Sequence, residues 1–276
     1  MKSSILKLNL IALTLAFSLA SFAQERIVFH SPNLKCDDTV LVFKPKEPGK
    51  YSSEDTPLLF LLHGWSGKYS DWSRKVDLQK ISDTYGFIIV TPDGFYNGWY
   101  LNNIDPDKMQ WRTFFHKELY PDILSRFKTS PDRVFITGLS MGGHGAVNIY
   151  MDDTSKFAAA GSMSGVLNLQ ETRLKLDQIP QILGPWSEEN RLYNSESAVN
   201  RIDRLKGSKK IVVITSGAQD SYAKGAQDFQ KRAEELKVPT ILILSPGVHS
   251  WKYWTYALEE HLRIFGQILN RSNMGY

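Results

Sequence analysis

The chain has 276 residues, and its 33 Lys and Arg residues against 29 Asp and Glu residues leave a formal net charge of +4. These charges are interspersed rather than clustered, so nothing in the composition indicates a nucleic-acid partner. The only cysteine, Cys36, excludes an internal disulfide and a multi-cysteine zinc site, and the chain is long enough to build a hydrophobic core without cross-links.

Residues 1–23 have the pattern of a secretory signal peptide. Lys2 and Lys7 precede a mostly apolar stretch over 8–19 that is too short to span a bilayer, and small residues follow up to Ala23. We expect cleavage after Ala23, which would remove two lysines, lower the net charge from +4 to +2, and deliver the mature chain to the periplasm or the cell exterior. No later stretch approaches the length of a transmembrane helix, so no membrane span is expected.

Apolar runs and helical periodicities alternate along the rest of the chain. The predicted order is strands 26–29 and 39–43 (an antiparallel pair at one sheet edge), surface loop 44–56, strand 58–62, helix 71–85, strand 87–91, helix 111–127 begun, kinked or interrupted by Pro121, strand 134–137, a helix from Met141, strand 157–160, an irregular excursion 167–205, strand 211–215, helix 224–237, strand 240–244 and helix 250–269. This alternation predicts an α/β fold with a mostly parallel sheet and helices on both faces. We expect one domain over 24–276, with 167–205 as a candidate partial lid.

The motif that organises the chain is Gly138-Leu-Ser-Met-Gly142, a G-x-S-x-G sequence between the strand at 134–137 and the helix from Met141. In that context the sequence predicts a nucleophile elbow, a sharp turn that lifts a serine hydroxyl above the sheet. Side chains two residues to either side of the serine would collide, which explains the two glycines. We therefore predict that Ser140 is a catalytic nucleophile.

A serine hydroxyl is a poor nucleophile at neutral pH, so Ser140 needs a general base and an acid that orients the base. In α/β-hydrolases these residues follow in the order Ser, acid, His. Two histidines lie far enough along the chain. His261 falls in the middle of the last predicted helix, a position typical of packing, whereas His249 lies in the loop that follows strand 240–244. We predict that His249 is the base.

The acid is predicted by the same argument from position. Asp220 leaves strand 211–215 through a short turn, which places it at the C-terminal edge of the sheet in the required chain order. Helix capping is the alternative role for an Asp at such a place. Asp228 is a weaker candidate because it would point along an exposed helix face. We predict that Asp220 is the acid.

An oxyanion hole requires two backbone amides. The Met141 amide is predicted at a helix N-terminus, where partial positive charge favours an oxyanion. Trp65 follows the buried strand 58–62 in the segment Leu61-Leu-His-Gly-Trp65, and its amide is the predicted second donor. His63 has no partner at metal-ligand spacing, so we expect it to shape this loop, and we predict neither a metal nor a cofactor.

Several short motifs in chain order resemble those of the putative esterase (esterase D-like) family, which also contains tributyrin, feruloyl and acetylxylan esterases and the mycolyltransferase antigens. They are Leu61-Leu-His-Gly64, Pro92-Asp-Gly94, Asn97-Gly-Trp-Tyr100, Gly138-Leu-Ser-Met-Gly-Gly143, Ser164-Gly165, Gly217 to Asp220 and His249-Ser-Trp251. The resemblance implies an α/β-hydrolase fold, the same triad, and the amides of Trp65 and Met141 as oxyanion donors. Members often have Gly-Gly-His-Asp around the base, where this chain has Gly247-Val-His-Ser250, so the surroundings of the imidazole differ.

The motifs specify chemistry rather than substrate. Export and the aromatic residues expected above the strand ends favour an acetyl or feruloyl ester of a carbohydrate, with Trp99, Trp186 and Trp251 as candidate substrate-binding residues. Short-chain acyl esters are the alternative substrate. An acyltransferase with the same triad and a non-catalytic carbohydrate-binding module are two further hypotheses. Oligomeric state is not predicted.

Overall fold

The computed structural model describes residues 24–46, 51, 56–172 and 179–273. The predicted signal peptide at 1–23, much of the predicted surface loop at 44–56, and positions 173–178 of the excursion lie outside the described residues. Within the described ranges, no helix is both long enough and apolar enough to cross a bilayer.

The described strands form a single eight-stranded sheet. They are β1 (Gln24–Ser31), β2 (Cys36–Phe43), β3 (Leu58–Leu62), β4 (Ile88–Thr91), β5 (Val134–Gly138), β6 (Ala159–Met163), β7 (Val212–Gly217) and β8 (Thr240–Ser245). Their order across the sheet is β1-β2-β4-β3-β5-β6-β7-β8. β1 and β2 pair antiparallel at one edge, as predicted, and β2 also pairs antiparallel with β4. Every pairing from β4 to β8 is parallel.

Helices connect the strands and cover both faces of the sheet. They are α1 (Asp71–Lys75), α2 (Leu78–Tyr85), α3 (Trp111–Phe114), α4 (Tyr120–Phe127), α5 (Met141–Asp152), α6 (Leu169–Thr172), α7 (Ile179–Leu183), α8 (Leu192–Ser195), α9 (Ala198–Arg201), α10 (Ala223–Leu236) and α11 (Trp251–Asn273), with short 3₁₀ turns at Pro131–Arg133, Thr154–Lys156 and Ile202–Leu205. The predicted α/β architecture is therefore confirmed.

The central strands are buried on both faces because each face packs against its own hydrophobic cluster. Along β3, Leu58, Phe60 and Leu62 join the cluster that includes residues of α3 and α5. Leu59 and Leu61 point the other way, into the cluster that includes residues of α11. This explains why β3 consists entirely of large apolar residues instead of alternating polar and apolar ones.

Two predicted helices differ from the structure. The predicted helix 71–85 is two helices, α1 and α2, because Val76 is extended and Asp77 caps a new helix by accepting a hydrogen bond from the Lys80 amide. The predicted helix 111–127 contains a π-helical turn, Phe115–Leu119, between α3 and α4. Pro121 lies just after this π-helical turn, in the first turn of α4.

The last helix is tied to the sheet by a buried histidine. His261 of α11 makes hydrogen bonds to the hydroxyl of Thr137 on β5 (2.8 Å) and to that of Thr215 on β7 (3.2 Å). A Cβ on Gly161 of β6 would lie 2.4 Å from the imidazole, so only glycine lets the ring approach here. His261 is therefore a core residue that joins three neighbouring strands.

The excursion after β6 is held to the body by a buried ion cluster. Arg201 of α9, only 6% exposed, pairs with Asp152 at the end of α5 and lies 3.6 Å from Glu196. Arg112 of α3 binds the same two carboxylates, at 3.3 Å to Asp152 and 2.8 Å to Glu196. Burial raises the pKa of Asp152, but the hydrogen bond from His116 and the two guanidinium groups outweigh it and lower that pKa to about 2.

Candidate active site

Ser140 occupies a strained turn between β5 and α5. Its backbone angles, φ 52° and ψ −116°, are ones that a residue with a side chain rarely adopts. A Cβ on Gly138 would lie 2.6 Å from the backbone of Gly142, which matches the predicted collision. A Cβ on Gly142 would instead meet the carbonyl oxygen of His63 at 2.5 Å. The second glycine is therefore required by the neighbouring loop after β3.

Three side chains form a continuous hydrogen-bond chain that begins at Ser140. The Ser140 hydroxyl lies 2.9 Å from Nε2 of His249, which follows β8. Nδ1 of His249 lies 3.0 Å and 3.1 Å from the two carboxylate oxygens of Asp220, which follows β7. The structure thus brings together the serine, histidine and aspartate that the sequence predicted, from the C-terminal ends of three strands. This is the geometry required to remove a proton from a serine hydroxyl.

The environment of Asp220 favours its ionised form. Burial raises the pKa of this carboxyl, but the hydrogen bond from His249 and that from the Tyr222 amide outweigh burial, so the net shift is downward. The Tyr222 amide donates to Oδ1 at 2.9 Å. A carboxylate that remains ionised can fix the imidazole as the tautomer with its proton on Nδ1, which leaves Nε2 free to accept a proton.

Two aromatic rings that the sequence did not single out hold the imidazole. Tyr222 and Trp254 each lie 4.9 Å from the His249 ring, at interplanar angles of 63° and 85°. Trp254 also contacts Trp251 at 5.4 Å. Tyr222 comes two residues after the acid and Trp254 five residues after the base, so closeness in sequence to the triad was the available signal.

Hydrogen bonds hold the loop that carries Trp65, whose amide is a predicted oxyanion donor. The Gly94 amide donates to Nε2 of His63 (2.7 Å), so the imidazole proton is on Nδ1, which donates to the Gly64 carbonyl (2.8 Å). The Tyr100 hydroxyl donates to the His63 carbonyl at 2.9 Å. His63 therefore fixes the orientation of the peptide that precedes Trp65, which is the loop-shaping role expected for it. Within the described ranges, the Trp65 and Met141 amides have no hydrogen-bond acceptor.

A cavity of about 620 Å³ opens above Ser140. Of the predicted substrate-binding tryptophans, Trp99 and Trp251 line this cavity, together with Trp65. Trp99 is only 1% exposed, lies edge-on to His144, and donates its indole N–H to Asn97. It therefore contributes to the cavity wall, whereas Trp65 is 38% exposed and presents a ring to solvent.

The structure does not place Trp186 in this cavity. Its side chain is partly buried against the hydrophobic cluster that includes α5. Within the described part of 167–205, no residue lines the cavity around Ser140, and Val166, just before this segment, does. Ion pairs fix the segment on the body, and its role as a partial lid stays a prediction.

The alternative candidates for the base and the acid lie away from Ser140. His261 is buried under the sheet, and Asp228 is on α10, where it forms an exposed ion pair with Lys224 at 2.6 Å. In the ranges that the structure describes, no three His, Cys, Asp or Glu residues are grouped so that they could hold a metal ion.

The fold and this hydrogen-bond chain together define a class: the protein is a serine hydrolase with the α/β-hydrolase fold. The sequence model of the protein family described as "Putative esterase" matches residues 31–265. The chain therefore belongs to this family, as its motifs indicated, and is a serine carboxylic-ester hydrolase.

Relatives cover nearly the whole chain at low identity. An S-formylglutathione hydrolase of Arabidopsis thaliana is 24% identical over 270 residues, which cover 89% of this chain and 93% of the relative. An acetyl esterase of Caldicellulosiruptor saccharolyticus is 25% identical over 252 residues, covering 83% and 92%. The solved structure of a ferulic acid esterase matches with a TM-score of 0.73 and 22% identity, covering 89% and 97%. At this identity the structural match supports the fold alone.

Proposed function

We propose that the protein is an exported esterase that hydrolyses acetyl or feruloyl esters of carbohydrates through an acyl-enzyme on Ser140. The observation that supports the catalytic assignment is the unbroken chain from Ser140 through His249 to Asp220, in a turn whose backbone strain aims the hydroxyl into the cavity. Export is supported by the signal-peptide pattern in residues 1–23.

In the proposed reaction, the Ser140 oxygen bonds to the ester carbonyl carbon while its proton passes to Nε2 of His249. The carbonyl electron pair becomes an oxyanion, which accepts hydrogen bonds from the Trp65 and Met141 amides. The bond to the alcohol oxygen then breaks, and His249 returns the proton to the departing alcohol. Water repeats these steps on the acyl-enzyme, which releases the carboxylic acid and restores the serine. Asp220 remains ionised and stabilises the imidazolium.

A carbohydrate ester is supported by the cavity lining. The rings of Trp65, Trp251 and Tyr222 line the cavity above Ser140, and the exposed Trp65 ring offers an apolar face on which a sugar or a phenolic ring can stack. Two of the similar proteins are named as an acetyl esterase and a ferulic acid esterase, and both names are compatible with this substrate class.

A short-chain acyl esterase without preference for sugars is the second candidate. It is favoured by the 25% identity to an acetyl esterase, whose name specifies the acyl group but no alcohol. The two candidates use the same triad and differ only in whether the alcohol part of the ester is recognised.

The test is a panel of esters assayed with the wild-type enzyme and with Ser140→Ala. Acetylated and feruloylated xylo-oligosaccharides are compared with nitrophenyl acetate and nitrophenyl butyrate, using kcat/KM. We expect hydrolysis of both groups that is lost in Ser140→Ala, and a higher kcat/KM on the oligosaccharide esters. Equal or higher values on the nitrophenyl esters would favour the short-chain esterase, and retained activity in Ser140→Ala would reject the mechanism.

A further inference from the structure

A second cavity, also of about 620 Å³, lies next to the one that contains Ser140. The side chains that define its chemistry are two aromatic rings, three amides and a thioether: Phe95, Tyr96, Asn97, Asn103, Gln181 and Met109. None of these residues belongs to the triad or to the predicted oxyanion hole.

The linings of the two cavities meet where Trp65 contacts Tyr96. Trp65 lines the cavity above Ser140, and its ring contacts that of Tyr96 in the second cavity with centroids 5.3 Å apart. The Ser66 amide donates to the Tyr96 carbonyl at 2.8 Å, which fastens the two loops together. Tyr96 is 58% exposed, and Trp65 is also open to solvent. A molecule whose carbonyl lies at Ser140 can therefore extend over these two rings into the second cavity.

The far wall of the second cavity is held rigid by hydrogen bonds. The Ile104 amide donates to the Ile182 carbonyl at 3.0 Å, and the Asn103 side chain donates to the Gln181 carbonyl at 2.9 Å. The Gln110 side chain also donates to the Asn103 carbonyl, at 2.9 Å. The loop before α3 is thereby fixed to α7, and the cavity is formed before any ligand binds.

The chemistry of the lining suits a saccharide. Exposed rings complement the apolar face of a sugar, and the Gln181 amide can both donate to and accept from its hydroxyls. The Gln181 side chain is exposed and has no hydrogen-bond partner within the described ranges. No carboxylate is among the described residues that line this cavity; the one charged group is that of Lys108. The lining is thus polar enough to orient a ring bearing hydroxyls and apolar enough to bury one of its faces.

We infer that this second cavity binds the saccharide that forms the alcohol part of the ester, while the acyl group lies above Ser140. This inference rests on the proposed function, because it assigns a position to the sugar of the proposed substrate. It makes Tyr96 and Gln181 determinants of specificity that act on the leaving alcohol and take no part in proton transfer.

The test combines direct binding with kinetics. Unesterified xylotriose is titrated calorimetrically into the wild type, Tyr96→Ala and Gln181→Ala, and Gln267→Ala is the matched control because it lies on an exposed position of α11 and lines neither cavity. We expect affinity to fall roughly 5- to 10-fold in Tyr96→Ala and roughly 3- to 10-fold in Gln181→Ala, with no change in Gln267→Ala. The kcat/KM on acetylated xylotriose should fall by similar factors.

Methyl ferulate carries the feruloyl group but no sugar, so it shows which part of the ester the second cavity binds. Unchanged xylotriose binding in both variants would overturn the inference, as would a loss of kcat/KM on methyl ferulate equal to the loss on acetylated xylotriose, since the cavity would then hold the acyl part. Failure of the wild type to hydrolyse any ester would reject the proposed function. Xylotriose binding would still decide whether the cavity takes a saccharide.

Discussion

The Ser140 hydroxyl lies 2.9 Å from Nε2 of His249, although 109 positions separate the two residues in the chain. Nδ1 of the same imidazole is held 3.0 Å from Asp220. Because each donor already faces its acceptor, proton transfer from the serine needs no rearrangement of the protein.

Ser140→Ala and His249→Ala should each lower kcat by roughly 10³-fold or more, because the two side chains act as one unit. The double variant should be little worse than either single one. Thermal melting should remain close to that of the wild type. Turnover near the wild-type value in either single variant would contradict the assignment.

Asp220→Asn should lower kcat by roughly 10³- to 10⁴-fold, because an amide in place of the carboxylate no longer selects the tautomer with Nε2 free. Asp228→Asn is the matched control. Its exposed pair with Lys224 contributes about 0–1 kcal/mol, so activity should be nearly unchanged. The opposite ranking in a steady-state assay would mean that Asp228 is the acid.

Gly142→Ala should reduce both stability and activity. The added Cβ would lie 2.5 Å from the His63 carbonyl oxygen and would displace the loop after β3 that carries the Trp65 amide. We expect a loss of about 1–3 kcal/mol in the free energy of unfolding. Gly266→Ala on α11 is the control, since its Cβ would meet nothing within 4 Å and alanine is the better helix former. Chemical denaturation and kcat are measured for both variants. Equal losses in Gly142→Ala and Gly266→Ala would contradict the steric explanation.

Stability should fall as the pH is lowered below about 6.5. Burial lowers the pKa of His261 to about 3, whereas the unfolded chain takes up this proton near the ordinary value of 6.5. The stabilisation is complete above 6.5 and is lost as the pH falls towards 3, at about 1.4 kcal/mol per pH unit. His261→Gln should be less stable at pH 7.5 but show a shallower slope in urea denaturation between pH 7.5 and 4.5. An unchanged slope would show that His261 is not the residue responsible.

Arg201→Gln should destabilise the protein by about 3–5 kcal/mol, because it leaves the buried carboxylate of Asp152 with one guanidinium fewer. Arg204 reaches the same carboxylate at 3.5 Å but is 54% exposed. Arg204→Gln should therefore cost at most about 1 kcal/mol. Urea denaturation of the two variants tests the difference, and similar losses would mean that burial does not determine the contribution of these ion pairs.

Local signals in the sequence were sufficient to predict the sheet and to select the three side chains that the structure brings together around Ser140. Buried parallel strands are continuous apolar runs, and Gly138 reflects a steric requirement within the turn around Ser140. Chain order then selected Asp220 and His249, because the ends of parallel strands meet at one edge of the sheet. Each of these inferences depends on residues close together in the chain or on a general rule of topology.

The break between α1 and α2 and the placement of the tryptophans were not predictable in the same way. Val76 is compatible with a helix, and only the competing cap at Asp77 shows the break. An exposed and a buried tryptophan look alike in a sequence, so Trp186 could not be separated from Trp65 before packing was known. The Tyr96 ring also gains its position from a loop that is distant in sequence.

The hydrogen bonds from His261 to Thr137 and Thr215 also bear on the order in which the chain folds. They join the strand before the serine to the strand before the aspartate, and they come from a helix near the chain's end. A chain without this helix would lack both of these hydrogen bonds between the helix and the two strands. Contacts between such distant segments form slowly. Recovery of esterase activity, rather than of helix content, therefore reports when folding is complete.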